Sequence, residues 1–283
     1  MYSRRCDWNP HRGVKVMSID DNVVEQAQAI LNQPGADKRK ALAAVLRLLA
    51  KWRSTLINNT LATKQGTEVH GGPFAGLKFV RNSTEGCNAP KLLGSYEREL
   101  HPAIARIAAA PYDLMIDIGC AEGYYAVGLA RLMPGLRVLA CDTDAKAQAA
   151  CRRMAEENGV AGRVSVQGQF AGADFAAHAG KRVLVFCDIE GAEKDLLDPT
   201  AYPALKRMDV LVECHDCFTP GLSVEIARRF EPTHTVERID RGGAAADLPQ
   251  SFADWNDLDR LLATWEWRTG PTPWLFMRVK SAA

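Results

Sequence analysis

Several features that would assign this sequence of 283 residues to a class at once are missing from it. It holds no run of about 18 apolar residues, the length that a membrane-spanning helix needs, so it predicts no membrane partner. Its first residues lead into polar sequence instead of the apolar centre of a signal peptide. We therefore expect a cytoplasmic protein.

The sequence has no large excess of positive or negative charge, with 35 lysines and arginines and 34 acidic residues. Nucleic-acid binding usually needs a basic surface, so we expect no nucleic-acid partner. The eight cysteines include only one close pair, Cys214 and Cys217. A structural zinc site takes about four ligands, so the sequence predicts neither a zinc site nor a disulfide scaffold.

One segment organises what is present. An apolar run at 114–118 is followed by a turn with Gly119 and Gly123, and apolar residues then recur at helical spacing. This pattern predicts a strand, a tight turn and a helix. In open α/β sheets such a turn usually receives the nucleotide-like part of a cofactor, and Asp117 places a carboxylate at its edge. The glycines would let the backbone approach that ligand.

The spacing in this turn favours one cofactor over another. A dinucleotide site needs G-x-G-x-x-G, whereas here Ala121 replaces the middle glycine and Glu122 adds a carboxylate that would repel a pyrophosphate. S-adenosylmethionine (SAM) has no phosphate and carries a sulfonium and an ammonium group. Asp142 ends the next predicted strand and suits a ribose diol, which both cofactors contain. The spacing favours SAM, and a nicotinamide-dependent oxidoreductase stays as the alternative.

Two segments carry a family resemblance. Asp117-Ile118-Gly119-Cys120-Ala121-Glu122-Gly123-Tyr124-Tyr125 resembles the first motif of class I SAM-dependent methyltransferases, in the version found in FkbM-like proteins. Cys187-Asp188-Ile189-Glu190-Gly191-Ala192-Glu193 is similar to the D-x-E-G-x-E segment of that group. The resemblance covers roughly residues 110–220. It implies methylation of an oxygen, or a nitrogen, of a small-molecule or natural-product acceptor.

The fold class expected is α/β, a seven-stranded, mostly parallel, Rossmann-like methyltransferase sheet with an antiparallel C-terminal edge hairpin. A helical N-terminal segment precedes it, as a lid or an oligomerisation element. Local patterns also predict a hairpin at 71–80, a helix that Ser95 caps, and an amphipathic helix within 241–272. The predicted divisions are 1–70 for the helical segment, 71–104 for a linking hairpin and helix, and 105–283 for the methyltransferase domain.

Polar residues cluster where the fourth and fifth predicted strands end. His215 is the candidate base that takes a proton from the acceptor, and Asp188 or Glu190 would either orient it or hold the substrate. Asp188, Glu213 and His215 also offer oxygen and imidazole ligands for a divalent metal, a variant that we leave open. The resemblance further places the segment before the first strand over the methionine end of SAM. Candidate substrate-binding residues are Tyr96, Glu97 and Asp216.

The candidate cofactor-binding residues follow from the first motif and from the ends of the next strands. Gln169 could bond the adenine edge and Phe170 could stack on the base. An inactive cofactor-binding scaffold is an alternative of another class, and a homodimer is left open. The candidates for SAM are Asp117, Gly119, Cys120, Glu122, Gly123, Tyr124, Asp142, Gln169, Phe170 and Asp188.

Overall fold

The computed structural model describes residues 18–81, 86–242, 248, 252 and 254–280. Most of the irregular arm predicted at 1–20 lies outside these residues. The helices are α1 (Ile19–Leu31), α2 (Lys38–Gln65), α3 (Asn88–Leu93), α4 (His101–Ala108), α5 (Tyr124–Leu132), α6 (Ala145–Glu157), α7 (Glu193–Leu196), α8 (Leu222–Phe230) and α9 (Asp257–Ala263). The strands are β1 (Leu114–Ile118), β2 (Arg137–Cys141), β3 (Val164–Gln167), β4 (Val183–Cys187), β5 (Asp209–Glu213), β6 (His234–Ile239) and β7 (Trp274–Val279).

The chain divides into two compact units, Met1–Arg53 and Ser54–Ala283, and the division falls within α2. In the first unit, Ser18 caps α1 by accepting a hydrogen bond from the Asp21 backbone N–H. The Trp52 indole donates to Asp20 over 2.7 Å and fixes α2 to α1. The helical character predicted for the N-terminal segment agrees with these helices, and its role as a lid or an oligomerisation element stays a prediction.

The second unit contains the sheet, whose strand order is β3-β2-β1-β4-β5-β7-β6. The strands from β3 to β5 are parallel, whereas β7 pairs antiparallel with both β5 and β6. Every residue of β1 and β4 is buried, as expected for central strands covered on both faces. The predicted fold class is therefore confirmed. No helix among the described residues combines the length and apolar character needed to cross a membrane.

The parallel order brings the carboxyl ends of β1, β2, β3, β4 and β5 to one edge of the sheet. The helices that follow β1 and β2 pack with buried apolar faces, including Val127 and Leu129 of α5 and Met154 of α6. These faces are buried, because neither the helices nor the sheet could leave its apolar side in water. The loops at this edge are thus held on a rigid base.

Three local expectations differ from the structure in extent. The hairpin predicted at 71–80 is reduced to one antiparallel bridge, Glu68 to Lys78, with backbone hydrogen bonds from Val69 to Leu77 and from Phe79 to Thr67 on either side of it. Ser95 does not cap a long helix. The backbone is left-handed at Gly94 and at Glu97, so α3 ends before this point and α4 begins only at His101.

The helix predicted within 241–272 is shorter than expected, since α9 covers seven residues. Residues 243–247, 249–251 and 253 of that range lie outside the described part of the chain. Asn256 caps α9 by accepting from the Asp259 N–H, and Trp267 lies beyond the helix with a φ of 63°. Trp265 and Trp267, which contributed to the predicted amphipathic pattern, therefore lie after the helix and not on it.

Candidate active site

The loop after β1 contacts the loop after β4. Gly119 has a φ of 85° and faces the Asp188 backbone so closely that no side chain fits between them. Gly123, at the start of α5, similarly faces the Cys151 sulfur. Both glycines are thus required by contacts within the protein, and their predicted role in letting the backbone approach a ligand stays a prediction. Gly119 nevertheless lines both of the spaces described next.

A cleft of about 550 Å³ opens beyond the carboxyl ends of β1, β2, β3 and β4. Its volume lies within the range of about 300–1,000 Å³ that is usual for small-molecule sites. Four carboxylate side chains line it, and none of the described lining residues is a lysine or arginine. The four are Asp142, Asp188, Glu190 and Asp195.

Asp142 links this cleft to the first loop. One oxygen of its carboxylate accepts a hydrogen bond from the Ala121 N–H over 2.9 Å, and the other accepts from the Asp144 N–H over 2.8 Å. Ala121 has a φ of 45° and is held in this strained conformation by that bond. The predicted ribose partner therefore also shapes the loop that would receive the cofactor.

At the other side of the cleft, Gln169 is exposed and Phe170 is buried. The Phe170 ring packs on Phe175 with centroids 4.9 Å apart and belongs to the core beneath the cleft. Gln169 is free of such packing and lies where it could reach a base edge. The prediction for Gln169 agrees with this placement, whereas Phe170 presents only a small surface for stacking.

A second, smaller space of about 20 Å³ adjoins the cleft, with Gly119 and Asp188 in both linings. Lys91 lines it and was not identified from the sequence. Its Nζ lies 2.8 Å from Glu122 Oε1, and this ion pair is almost fully buried. Tyr96 lies beside it, with the Lys91 Nζ 4.8 Å from the ring centroid. The buried Tyr124 hydroxyl, also in this lining, has no hydrogen-bond partner among the described residues.

The predicted cofactor residues of the first motif fall into two groups, those that line a space and those that support the lining. Asp117, Cys120 and Tyr124 line the smaller space, as does the predicted substrate residue Tyr96. Glu122 and Gly123 line neither space, because Glu122 holds Lys91 and Gly123 packs on α6. The first motif thus contributes both lining and supporting residues.

His215 lies at the rim beside Asp188 and is 5% exposed. Its Nδ1 lies 2.5 Å from Oε1 of Glu193, so a neutral imidazole donates from Nδ1 to this carboxylate. Its Nε2 lies 3.4 Å from Glu213 Oε2 and 3.7 Å from Asp188 Oδ1. The orienting partner is therefore Glu193, the first residue of α7. The sequence proposed Asp188 or Glu190 for that role, and Glu190 is exposed.

The electrostatics of this rim follow from burial and from crowded carboxylates. Burial lowers the pKa of His215, but its bond to Glu193 and the charges of Asp188 and Glu190 outweigh burial, so the pKa is raised above 6.5. Burial also raises the pKa of Asp188 above its ordinary value, although His215 and Arg268 act in the opposite direction. The rim favours binding of a positive group. Asp188, Glu213 and His215 could hold a metal ion.

Two predicted substrate residues are engaged within the protein. The Glu97 carboxylate is buried, accepts from the Tyr125 hydroxyl and pairs with Arg268 over 2.5 Å. Burial raises the pKa of Glu97 to about 8 despite the lowering effect of Arg268. Asp216 accepts from the Ser223 N–H and hydroxyl and so holds the first turn of α8. These contacts favour structural roles for both carboxylates.

No protein-family model matches the sequence, and no curated protein matches it either. Among solved structures, the O-methyltransferase TomG from Streptomyces achromogenes, in complex with SAM, is 17% identical, with 67% of this chain and 82% of that chain covered and a TM-score of 0.45. A putative O-methyltransferase from Klebsiella pneumoniae is 14% identical, with 91% and 96% covered and a TM-score of 0.45. At these values the likeness does not by itself assign an activity.

Proposed function

We propose that this chain is a SAM-dependent methyltransferase that methylates an oxygen, or a nitrogen, of a small-molecule acceptor. The observation that carries this proposal is the sign of the charge in the large cleft, where four carboxylates and no described lysine or arginine line the space. SAM has two positive groups and one carboxylate, so such a lining attracts it. The two phosphates of a nicotinamide dinucleotide would be repelled, which disfavours the oxidoreductase alternative.

The residues present fit SAM in two parts. The adenosyl group would occupy the large cleft, with Asp142 at the ribose and Gln169 at the base. The methionyl group would point past Gly119 towards the smaller space, where Lys91 and the Tyr124 hydroxyl can face its carboxylate. That space now holds roughly the volume of one water, so lining side chains would have to move for the group to enter.

Asp188 and His215 at the rim would then assist transfer of the methyl group. Bound SAM would supply an electrophilic methyl carbon, and the acceptor must be held in line with it. Asp188 lines both spaces and lies beside His215, so these two side chains would position the acceptor. The acceptor loses one proton as it gains the methyl group. Nε2 of His215, whose other nitrogen is held by Glu193, would accept this proton from an acceptor that lies between the imidazole and Asp188.

Within this class we infer an FkbM-like protein with a natural-product hydroxyl as its acceptor. The support is the segment 188–193, which supplies Asp188 to the cleft and Glu193 to His215. The contact between Glu193 of this segment and His215 supports the FkbM-like assignment more strongly than the sequence similarity alone. An acceptor screen with hydroxylated and amine-bearing metabolites would separate oxygen from nitrogen transfer.

Calorimetry with S-adenosylhomocysteine (SAH) and with NAD⁺ tests the cofactor. We expect SAH to bind and NAD⁺ to give no heat. Asp142→Asn should weaken SAH binding about tenfold or more, equivalent to about 1.4 kcal/mol. Asp144→Asn is the matched control, because this side chain caps α6 outside the cleft lining. Heat with NAD⁺ and none with SAH would favour the oxidoreductase. SAH binding without turnover of any acceptor would favour the inactive scaffold.

A further inference from the structure

The ends of β4 and β5 bring three metal-binding side chains together. Asp188 directly follows β4, Glu213 is the last residue of β5, and His215 lies two residues further on. One ligand atom from each lies within 4.8 Å of the others. The strands are neighbours in the sheet, so this arrangement is fixed by backbone pairing and not by a flexible loop alone.

The distances suit a single ion. Two ligand atoms held about 2.1 Å from one ion lie about 3.0 Å apart at a right angle and about 3.4 Å apart at a tetrahedral angle. The His215 Nε2 lies 3.4 Å from Glu213 Oε2 and 3.7 Å from Asp188 Oδ1. The three ligand atoms lie within 4.8 Å of one another, so rotation of the two carboxylates towards the imidazole would bring all three into coordination range.

The position of the imidazole gives a second, independent observation. Glu193 is fully buried and accepts the Nδ1–H of His215, which fixes the ring and leaves the Nε2 lone pair of the neutral form aimed between two carboxylates. Glu213 is itself only 4% exposed. Asp188 and Glu213 thus both face the Nε2 lone pair, and an ion held between the three atoms would offset the repulsion of the two carboxylates.

The nearby protein cations are already engaged. Arg268 contacts Glu213 through the other carboxylate oxygen, Oε1, and it also pairs with Glu97 and Glu266. Lys91, which acts on Asp188 from the smaller space, pairs with Glu122. The oxygen of Glu213 that faces His215 is therefore on the side of the carboxylate away from the arginine.

We propose that Asp188, Glu213 and His215 bind one divalent metal ion, with Glu193 orienting the histidine. Two carboxylates and one imidazole suit Mn²⁺, Fe²⁺ or Zn²⁺ better than Ca²⁺, which prefers oxygen ligands alone. Three protein ligands leave coordination positions open towards the cleft, which Asp188 also lines. The ion would bind the acceptor oxygen there and lower its pKa. This role rests on the proposed methyltransferase function. It makes His215 a ligand, so the acceptor hydroxyl, acidified by the ion, would lose its proton to solvent water instead of to the imidazole.

Mn²⁺ binding to the full chain, after treatment with a chelator and dialysis, tests the site by electron paramagnetic resonance of the free ion. We expect one Mn²⁺ per chain with a Kd below about 100 µM. His215→Ala and Glu213→Gln should each weaken binding at least about tenfold, and Glu193→Gln about 10- to 100-fold. Glu157→Gln, which removes one exposed carboxylate from the end of α6, should bind Mn²⁺ as the unaltered chain does.

Thermal melts keep the result interpretable if a variant folds poorly. Mn²⁺ should raise the Tm of the unaltered chain and of Glu157→Gln, but not that of His215→Ala. Absence of Mn²⁺ binding, or equal binding by all variants, would overturn the metal site. SAH calorimetry on the same samples separates the two proposals: SAH binding without Mn²⁺ binding rejects only the ion, and Mn²⁺ binding without SAH binding rejects only the cofactor.

Discussion

A Cβ placed on Gly119 would lie 1.7 Å from the backbone carbonyl oxygen of Asp188. This separation is far below van der Waals contact, and the atom at fault is backbone, which cannot rotate away. The loop that follows β1 and the loop that follows β4 are thus fitted to each other. Because Asp188 lines both spaces of the candidate site, any displacement of this contact changes the site directly.

Gly119→Ala should therefore destabilise the chain by about 2–4 kcal/mol, from overpacking and from the positive φ of 85°. SAH binding should be lost with it. Gly159→Ala is the matched control, since Gly159 has a φ of 69° but nothing within 4 Å of its added Cβ. That variant should cost only about 1 kcal/mol and retain SAH binding. Urea unfolding and calorimetry measure both effects, and equal losses in the two variants would contradict the steric explanation.

The sheet could be predicted from sequence because its signal is local. The continuous apolar run of β4 and the acids at the ends of β1 and β2 do not depend on distant residues. The predicted start of α4 at Ser95 was wrong because it depends on residues outside the local pattern. Ser95 is a favourable cap by composition, but Gly94 and Glu97 both adopt left-handed backbone, and this depends on how the segment packs.

Site residues were predictable by location and less so by role. The sequence placed His215, Asp188 and Glu190 at one edge, but it did not identify Glu193 as the partner of the imidazole. Only the positive φ at Glu190 and Gly191 turns the chain so that Glu193 meets the imidazole. Lys91 gave no signal, since its partner Glu122 lies 31 residues away in the chain.

Lys91→Met tests how much the Lys91 charge stabilises the buried Glu122 carboxylate, measured as the free energy of unfolding. Its side chain and that of Glu122 are 3% and 0% exposed, so removing the cation leaves a buried carboxylate and should cost about 3–5 kcal/mol. The double variant Lys91→Met with Glu122→Gln should recover most of this loss. Arg182→Met removes a pair whose side chains are 60% and 50% exposed and should cost under about 1 kcal/mol. A double variant no more stable than Lys91→Met would show that the unpaired Glu122 carboxylate is not the cause of the loss.

Ala121→Gly tests the strain in the first loop. Ala121 has a φ of 45°, which costs roughly 1–2 kcal/mol for an alanine, and glycine would relieve it at a smaller cost from the unfolded state. The variant should be more stable by up to about 1 kcal/mol. Ala149→Gly, at an exposed position within α6, should instead lose about 1 kcal/mol. Although the substitution restores a dinucleotide-like glycine, the four cleft carboxylates remain, so calorimetry should still show no NAD⁺ binding.

His234 should make stability fall on acidification. This side chain is 1% exposed, its Nε2 donates to the Met208 carbonyl oxygen over 2.8 Å, and burial lowers its pKa below 6.5 despite that bond. The folded state keeps the imidazole neutral while the unfolded chain takes up a proton below about pH 6.5, so stability present above that pH is lost as the pH falls.

Urea unfolding at pH 7.5 and pH 5.5 should show the unaltered chain losing about 1 kcal/mol more than His234→Gln, which has no proton to take up in this range. His70→Gln alters an exposed imidazole and should lose as much as the unaltered chain. If His234→Gln and His70→Gln showed the same loss, the buried ring would not be the source of the acid sensitivity. The loss would then be assigned to His101 and His178, whose pKa values burial also lowers, because a rim carboxylate with a raised pKa such as Asp188 stabilises the folded state as the pH falls.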